Sequence, residues 1–333
     1  MKQYLIILMD DTSTSYCHYS VNTAERRLIS LEDLKAGIRF AMVENLMIQF
    51  VLPNYELPAD FKEVMNTIDH HLIVPARCAD RNALNAADVV VANGMAELSL
   101  LTSYSPDVSY VVRTDRTHFL ADYKLLDVPL CKAMRLNVVI TDVEAFTGGD
   151  FTSYKQALAD LGKIVEQEYV KQHTVQFNLL TDRLTLQSMN NCGAADKCVT
   201  LAPDGKLYAC PACYYDGVPD GSEKTLSELC RKGYSIGDIK SGLCVANEQL
   251  YKLDHAPLCR KCDAFQCHRC IWLNRRTTLE VNTPSHEQCV MAHIERNASR
   301  DLLQAIRQHG TFLPSVDIKK ISYLDPFEVK DDY

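Results

Sequence analysis

Residues 192–210 read CGAADKCVTLAPDGKLYAC and residues 259–270 read CRKCDAFQCHRC, with Cys289 following after eighteen intervening residues. In the first stretch, Pro203-Asp204-Gly205 separates two short apolar runs. Proline fixes φ and glycine accepts a positive φ, so the three residues are a turn signal and Val199–Ala209 is expected to form a β-hairpin. A turn centred on Asp204 pairs residues equidistant from it, and Cys198 and Cys210 each lie six positions away. Their thiols are therefore expected side by side at the hairpin's open end. Cys192, with five residues between it and Cys198, is near enough in the chain to return to the same place. This region supplies three ligands and needs a fourth from elsewhere.

The second stretch, Cys259-x2-Cys262-x4-Cys267-x2-Cys270 with the later Cys289, supplies five more. Thiolates at two- to four-residue spacing let one loop wrap a metal centre, and eight cysteines match two closed sites of four. Spacing leaves the metal open, because zinc also takes all-thiolate sites built from Cys-x2-Cys pairs. Buried thiols without a role do not cluster in this way.

Working outward, cysteine density divides the chain. Of fourteen cysteines, three (Cys17, Cys78 and Cys131) precede residue 190 and eleven lie between Cys192 and Cys289. The boundary falls near residue 185. Before it, apolar runs recur at Tyr4–Met9, Met47–Leu52, His71–Pro75, Val89–Ala92, Val108–Val112, Leu136–Thr141 and Val175–Leu180. Runs of this kind suit strands buried on both faces. Between them lie helical patterns, among them Leu31–Asn45, opened by Ser30 as N-cap with Glu32 and Asp33 in the first turn, and Ser153–Gln172. Alternating β and α predicts a parallel sheet, as a partial or complete (β/α) barrel or a doubly wound open sheet. A last helical pattern runs around Ala292–Gln308 before a polar tail.

Length and composition agree with about two folded domains: 333 residues, 47% hydrophobic and 23% charged. A formal charge of −8 with no clustered Lys/Arg surface argues against a nucleic-acid partner. No stretch approaches the roughly 20 apolar residues of a membrane span. The opening run Leu5–Met9 meets Asp10 and Asp11 at once, unlike a signal peptide, so a cytoplasmic protein is expected. In a reducing compartment, clustered cysteines read as metal ligands before disulfides.

The order and spacing of Cys192, Cys198, Cys210, Cys259, Cys262, Cys267, Cys270 and Cys289, with Gly205-x4-Cys210 inside the first run, resemble the SPASM domain of radical S-adenosylmethionine peptide-modifying enzymes. The likeness covers about residues 190–295, and the last two gaps of the second run are each one residue shorter than the family's usual spacing. The resemblance implies two [4Fe–4S] clusters with interleaved ligation. Cys192, Cys198, Cys210 and Cys270 would hold the first, and Cys259, Cys262, Cys267 and Cys289 the second; zinc is the alternative metal. It also implies a fold of α/β class, a partial (β/α) barrel of radical SAM type over residues 1–185, then a cysteine-rich SPASM domain over 186–310 and a tail over 311–333. Cys213, Cys230 and Cys244 are left over as ordinary small buried residues, Cys213 being the candidate for a spare ligand.

The family's catalytic mark is Cys-x3-Cys-x2-Cys after the first strand. Here the loop reads Asp10-Asp11-Thr12-Ser13-Thr14-Ser15-Tyr16-Cys17-His18-Tyr19-Ser20, with one cysteine. The segment after the second strand, Val51–Glu56, lacks the Gly-Gly-Glu that receives the cosubstrate's amino group. The expectation is a barrel without its reactive cluster, with S-adenosylmethionine not bound. Within the group the chain looks most like the CXXX repeat peptide maturase family, which implies ribosomal precursor peptides with Cys-x-x-x repeats and an intact radical SAM maturase as partners. Two other readings stand beside it: an enzyme acting through an auxiliary cluster, and a zinc-stapled peptide-binding scaffold.

Other residues read as structural. Asp142, Glu144 and Gly148-Gly149-Asp150 form a satisfied loop after a strand, and His70 and His71 open the third strand. His268 stands behind the thiols, and Trp272 is core. No Ser/His/Asp or Cys/His set is evident.

Overall fold

The computed structural model describes residues 2–21, 26–216 and 235–326. The chain forms two compact units, each drawn from two stretches: Met1–Val91 with Gly193–Lys252, and Ala92–Cys192 with Leu253–Tyr333. The change of texture at residue 185 thus falls inside the second unit.

In the first unit, β1 (Tyr4–Leu8) leads to α1 (Leu31–Glu44), β2 (Met47–Val51), α2 (Ala59–Met65), β3 (His70–Pro75) and α3 (Arg81–Asn85), and β4 (Val89–Asn93) spans the division after Val91. In the second, α4 (Met95–Leu98), β5 (Ser109–Thr114), α5 (Arg116–Asp122), α6 (Asp127–Lys132), β6 (Arg135–Ile140), α7 (Gly148–Val170), β7 (Gln176–Phe177) and α8 (Asp182–Thr185) follow. The chain then adds β8 (Cys198–Leu201), β9 (Lys206–Tyr208), α9 (Pro211–Tyr215), β10 (Ser235–Asp238) and β11 (Gly242–Leu243) to the first unit. It ends with α10 (Ile271–Thr278) and α11 (His286–Arg307) in the second.

β1 is the axis of the first unit. It pairs in parallel on both sides, so that Tyr4 lies opposite Met47 of β2 and Cys198 of β8. Leu5, Ile7 and Leu8 are wholly buried, as expected of a strand covered on both faces, each contributing about 2 kcal/mol of apolar burial. Ser30 caps α1 through the Asp33 amide at 3.0 Å, as its position in the sequence predicts. Mid-helix, a Cβ on Gly37 would meet Leu201 Cδ2 at 2.5 Å, so glycine there lets α1 lie close on β8.

The hairpin forms in the expected register. Thr200 faces Tyr208 and Leu201 faces Leu207, which leaves Cys198 and Cys210 at its open end. Gly205, at φ +76°, closes the turn with its amide on the Ala202 carbonyl at 3.0 Å.

In the second unit β5, β6 and β7 run parallel, and α7 packs against α11. Three expectations need correction. Gly148-Gly149-Asp150 is the first turn of α7, because Thr147 and Asp150 form a capping box that overrides the low helix propensity of two glycines. β7 stops at Phe177, because the Asn178 side chain bonds both the amide (2.8 Å) and the carbonyl (2.9 Å) of Val138, and the Thr181 hydroxyl takes the Phe177 amide at 2.6 Å. Cys244 is exposed, its amide bonded to the Ile236 carbonyl across β10, whereas Cys213 is buried as expected. Cys230 lies outside the described residues.

Candidate metal centre

Four of the predicted ligands line one cavity of about 1090 Å³ in the second unit: Cys259, Cys262, Cys267 and Cys289. A tight chain path brings the first three together. The Cys262 amide bonds to the Cys259 carbonyl at 3.0 Å and the Cys267 amide to the Ala264 carbonyl at 3.0 Å. Cys289 comes from the first turn of α11, whose start is fixed by the Ser285 cap on the Gln288 amide. Two backbone N–H groups point at sulfur, Ala264 at Cys262 Sγ (3.4 Å) and Arg269 at Cys267 Sγ (3.5 Å). Such bonds are weak to a thiol and strengthen toward a thiolate.

Burial pushes these thiols up, Cys259 to about 11 and Cys289 to about 12, and neighbouring cysteines of the same set add to the shift. A positive centre among them would reverse that order by favouring thiolate. The donor chemistry therefore fits a thiolate-bound iron–sulfur or zinc group. Among the described residues, no three His, Cys, Asp or Glu side chains gather closely enough to hold one ion.

His293 Nδ1 hydrogen-bonds the Leu324 carbonyl, which can only accept, so the ring proton sits on Nδ1. Nε2, the other ring nitrogen, lies 3.5 Å from the Cys262 sulfur. His268 is exposed, with Nδ1 at 3.4 Å from the Asn190 side-chain amide, and does not line the cavity.

The other four predicted ligands divide between the units. Cys192 and Cys270 are in the second: the Cys192 amide bonds to the His268 carbonyl at 2.6 Å, and Cys270 is the N-cap residue of α10. Trp272 is buried two residues on, under the Arg276 guanidinium. Cys198 and Cys210 are in the first unit, both within electrostatic reach of the Tyr16 hydroxyl. Cys210 Sγ is 3.6 Å from Cys213 Sγ, which keeps Cys213 beside this pair.

Sequence reasoning missed the cavity's charged wall. Arg183, Lys261, Arg269, Arg296 and Lys319 line it against Asp263 and Asp317. Asp263 and Arg269 sit inside the quoted cysteine run, and that was the available signal. Arg183 and Arg296 lie far from it in sequence.

The loop after β1 is built differently. Asp10 is fully buried and Asp11 nearly so. Asp10 accepts from the Thr12 amide at 2.7 Å and the Tyr55 hydroxyl at 2.8 Å. Asp11 accepts from Tyr214 on α9, with Arg27 donating to that same hydroxyl at 2.5 Å. Tyr215 stacks on Tyr19 at 5.3 Å, sealing the loop against α9. Cys17 is exposed, Cys78 is buried with Sγ 3.8 Å from the Pro53 carbonyl, and Cys131 sits on α6 in the other unit.

The fold is of α/β class, a partial (β/α) barrel of radical SAM type followed by a cysteine-rich SPASM domain. Solved structures of anSMEcpe share it. Native anSMEcpe with bound AdoMet and Cp18Cys peptide aligns at TM-score 0.57 and 13% identity, over 92% of this chain and all (100%) of that one. A histidine-tagged form of anSMEcpe with bound AdoMet gives the same figures, TM-score 0.57 and 13% identity over 92% and 100% of the two chains. Native anSMEcpe with bound AdoMet alone gives 0.54 and 12% over 92% and 99%. No family model and no curated protein matches the chain. Among the described residues, no helix is long and apolar enough to cross a membrane.

Proposed function

We propose that this chain is an iron–sulfur protein of ribosomal peptide maturation, which binds a precursor peptide with Cys-x-x-x repeats and works with a separate, intact radical SAM enzyme. The observation that carries the reading is the cavity wall shared by Cys259, Cys262, Cys267 and Cys289. These four would hold one [4Fe–4S] cluster, and Cys192, Cys198, Cys210 and Cys270 the other. Residues 1–185 would be the barrel, 186–310 the SPASM domain and 311–333 a tail. A bound cluster supplies one-electron transfer or a structural cross-link. The residues around it bind and orient the peptide, for which an exposed sheet edge offers strand addition.

Support for an accessory role comes from the loop after β1. It carries one cysteine, and its buried carboxylates are already occupied by tyrosine hydroxyls. Radical generation from S-adenosylmethionine would belong to the partner. The likeness to anSMEcpe with a bound peptide is consistent with a peptide as the client.

The test is anaerobic purification of the full chain with iron, sulfide and zinc analysis and a visible absorption scan. About eight irons per chain with matching sulfide are expected. Two zincs and a colourless protein would overturn the reading in favour of a stapled scaffold.

A further inference from the structure

Cys210-Pro211-Ala212-Cys213 is a Cys-x-x-Cys sequence of which the proposed cluster ligands take only the first cysteine. The two sulfurs are 3.6 Å apart in the first unit. Their closeness is built into the backbone. Cys210 is the N-cap residue of α9, Pro211 follows with its φ fixed by the ring, and the Cys213 amide bonds the Cys210 carbonyl at 3.1 Å, closing a tight turn under the pair. The next two residues pin that turn. Tyr214 donates to buried Asp11 and accepts from Arg27 at 2.5 Å, and Tyr215 stacks on Tyr19 at 5.3 Å. A Cys-x-x-Cys pair beside alternating strands and helices is the arrangement in which dithiol and disulfide interconvert.

The two thiols differ in access. Cys210 is partly exposed, whereas Cys213 is buried at 7% exposure. An incoming disulfide therefore meets Cys210 first, and Cys213 stands behind it in the place of a resolving thiol. The Cys213 sulfur and burial raise the Cys210 thiol, which slows attack, so the reaction is read at equilibrium. Disulfides that form against a reducing thiol pool are transient and redox-sensing, not structural.

We infer that Cys210 and Cys213 form a reversible disulfide by exchange with a low-molecular-weight disulfide such as oxidised glutathione. The Cys210 sulfur loses its proton, attacks one sulfur of the small disulfide, breaks its S–S bond and releases one thiol. The Cys213 sulfur then attacks Cys210 Sγ and releases the second. Two protein thiols are oxidised, one small disulfide is reduced to two thiols, and the two protons leave with them. The inference goes beyond the iron–sulfur reading and does not need it. Where a cluster is bound, disulfide and cluster exclude one another at Cys210, so oxidation withdraws one ligand from the first set and none from the cavity thiols.

The experiment equilibrates the full-length, anaerobically purified protein, with and without prior chelation of its metal, in glutathione redox buffers, then applies acid quenching, alkylation and tryptic digestion. Cleavage after Lys206 and Lys224 isolates residues 207–224, which hold these two cysteines and no other. In oxidising buffer the chelated chain should yield this peptide two hydrogens lighter and without alkyl groups, and dithiothreitol should restore two alkylated thiols. Because the turn holds the sulfurs together, the midpoint should need about tenfold less oxidised glutathione than in the urea-unfolded chain. Cys213→Ser should stop at a glutathione adduct on Cys210. The wild-type chain decides the main point alone, so a variant that fails to assemble leaves the test valid. Two alkylated thiols, a persistent glutathione adduct, or equal midpoints folded and unfolded in the wild type would overturn this inference and leave the iron–sulfur reading to its own iron analysis. A disulfide in a chain that never held iron would uphold the inference and overturn only that reading.

Discussion

The loop after β1 and the cysteine run before α11 both gather buried acidic groups, and they are finished in opposite ways. In the loop, every buried charge has met a donor of the same chain: Tyr55 and Thr12 on Asp10, Tyr214 and Arg27 on Asp11. In the cysteine run burial and mutual proximity hold the thiols protonated, while the Asp263 carboxylate among them is paired with Arg296. The carboxylates of the first region are satisfied from within the chain, with the neighbouring Thr14 and Ser15 hydroxyls buried without a partner, whereas the thiols of the second would turn to thiolate only beside a positive centre. Side chains of similar burial therefore differ in whether their partners lie within the chain.

The largest expected effect separates the two regions directly. Cys267→Ser should lose roughly half the bound iron by removing one of two clusters, whereas Cys17→Ser in the β1 loop should lose none. Iron and sulfide analysis checks both; equal losses would erase the contrast. Next comes Arg296→Met, which leaves the Asp263 carboxylate without its bidentate partner. The cost should be about 3 kcal/mol of unfolding free energy by chemical denaturation, at the low end for a broken buried pair because Arg183 remains 3.5 Å from Asp263.

Much of this architecture could be read in the sequence, and where it could not the reasons are local. The hairpin register followed from three turn residues, since strand pairing has a period of two and a fixed turn leaves no slack. Helix α1 followed from its cap. The start of α7 was hidden because Gly148 and Gly149 argue against helix, and the deciding bonds join Thr147 to Asp150 in a way that propensity does not weigh. β7 was overcalled because Asn178 and Thr181 substitute side-chain bonds for strand pairing. At the site, thiol spacing pointed to Cys259, Cys262, Cys267 and Cys289, which line one cavity. Arg183 and Arg296 were invisible, because a buried arginine looks in sequence like any surface one until its carboxylate is placed.

The β1 loop has its own test at smaller size. Tyr214→Phe removes the hydroxyl that donates to buried Asp11, and burial and that carboxylate push the phenol above its ordinary range, so it stays a donor throughout the working pH range. A loss of about 1–2 kcal/mol is expected, since Arg27 still reaches Asp11 at 3.4 Å. A neutral result would mean that the loop is not held by its own donors, and the contrast with the cysteine run would narrow.

The smallest effect depends on pH and lies next to the cysteine run. Glu295 on α11 is pushed up to about 7 by burial, against the pull of the Tyr154 hydroxyl at 2.8 Å and the Gln266 amide at 3.4 Å. A carboxyl raised in the folded state binds its proton more tightly there than in the unfolded chain. Its stabilisation is therefore complete below the ordinary value of 4.5, declines as pH rises, and is gone once pH passes about 7. Glu295→Gln keeps an acceptor for Tyr154 and carries no charge to desolvate. It should match the wild type below pH 4.5 and exceed it above pH 7 by about 1–2 kcal/mol, a figure discounted because the residue is only half-buried. Denaturation curves across that window decide it. A constant gap would mean that the Glu295 carboxyl binds its proton equally well in the folded and unfolded chain, and that its burial costs it nothing.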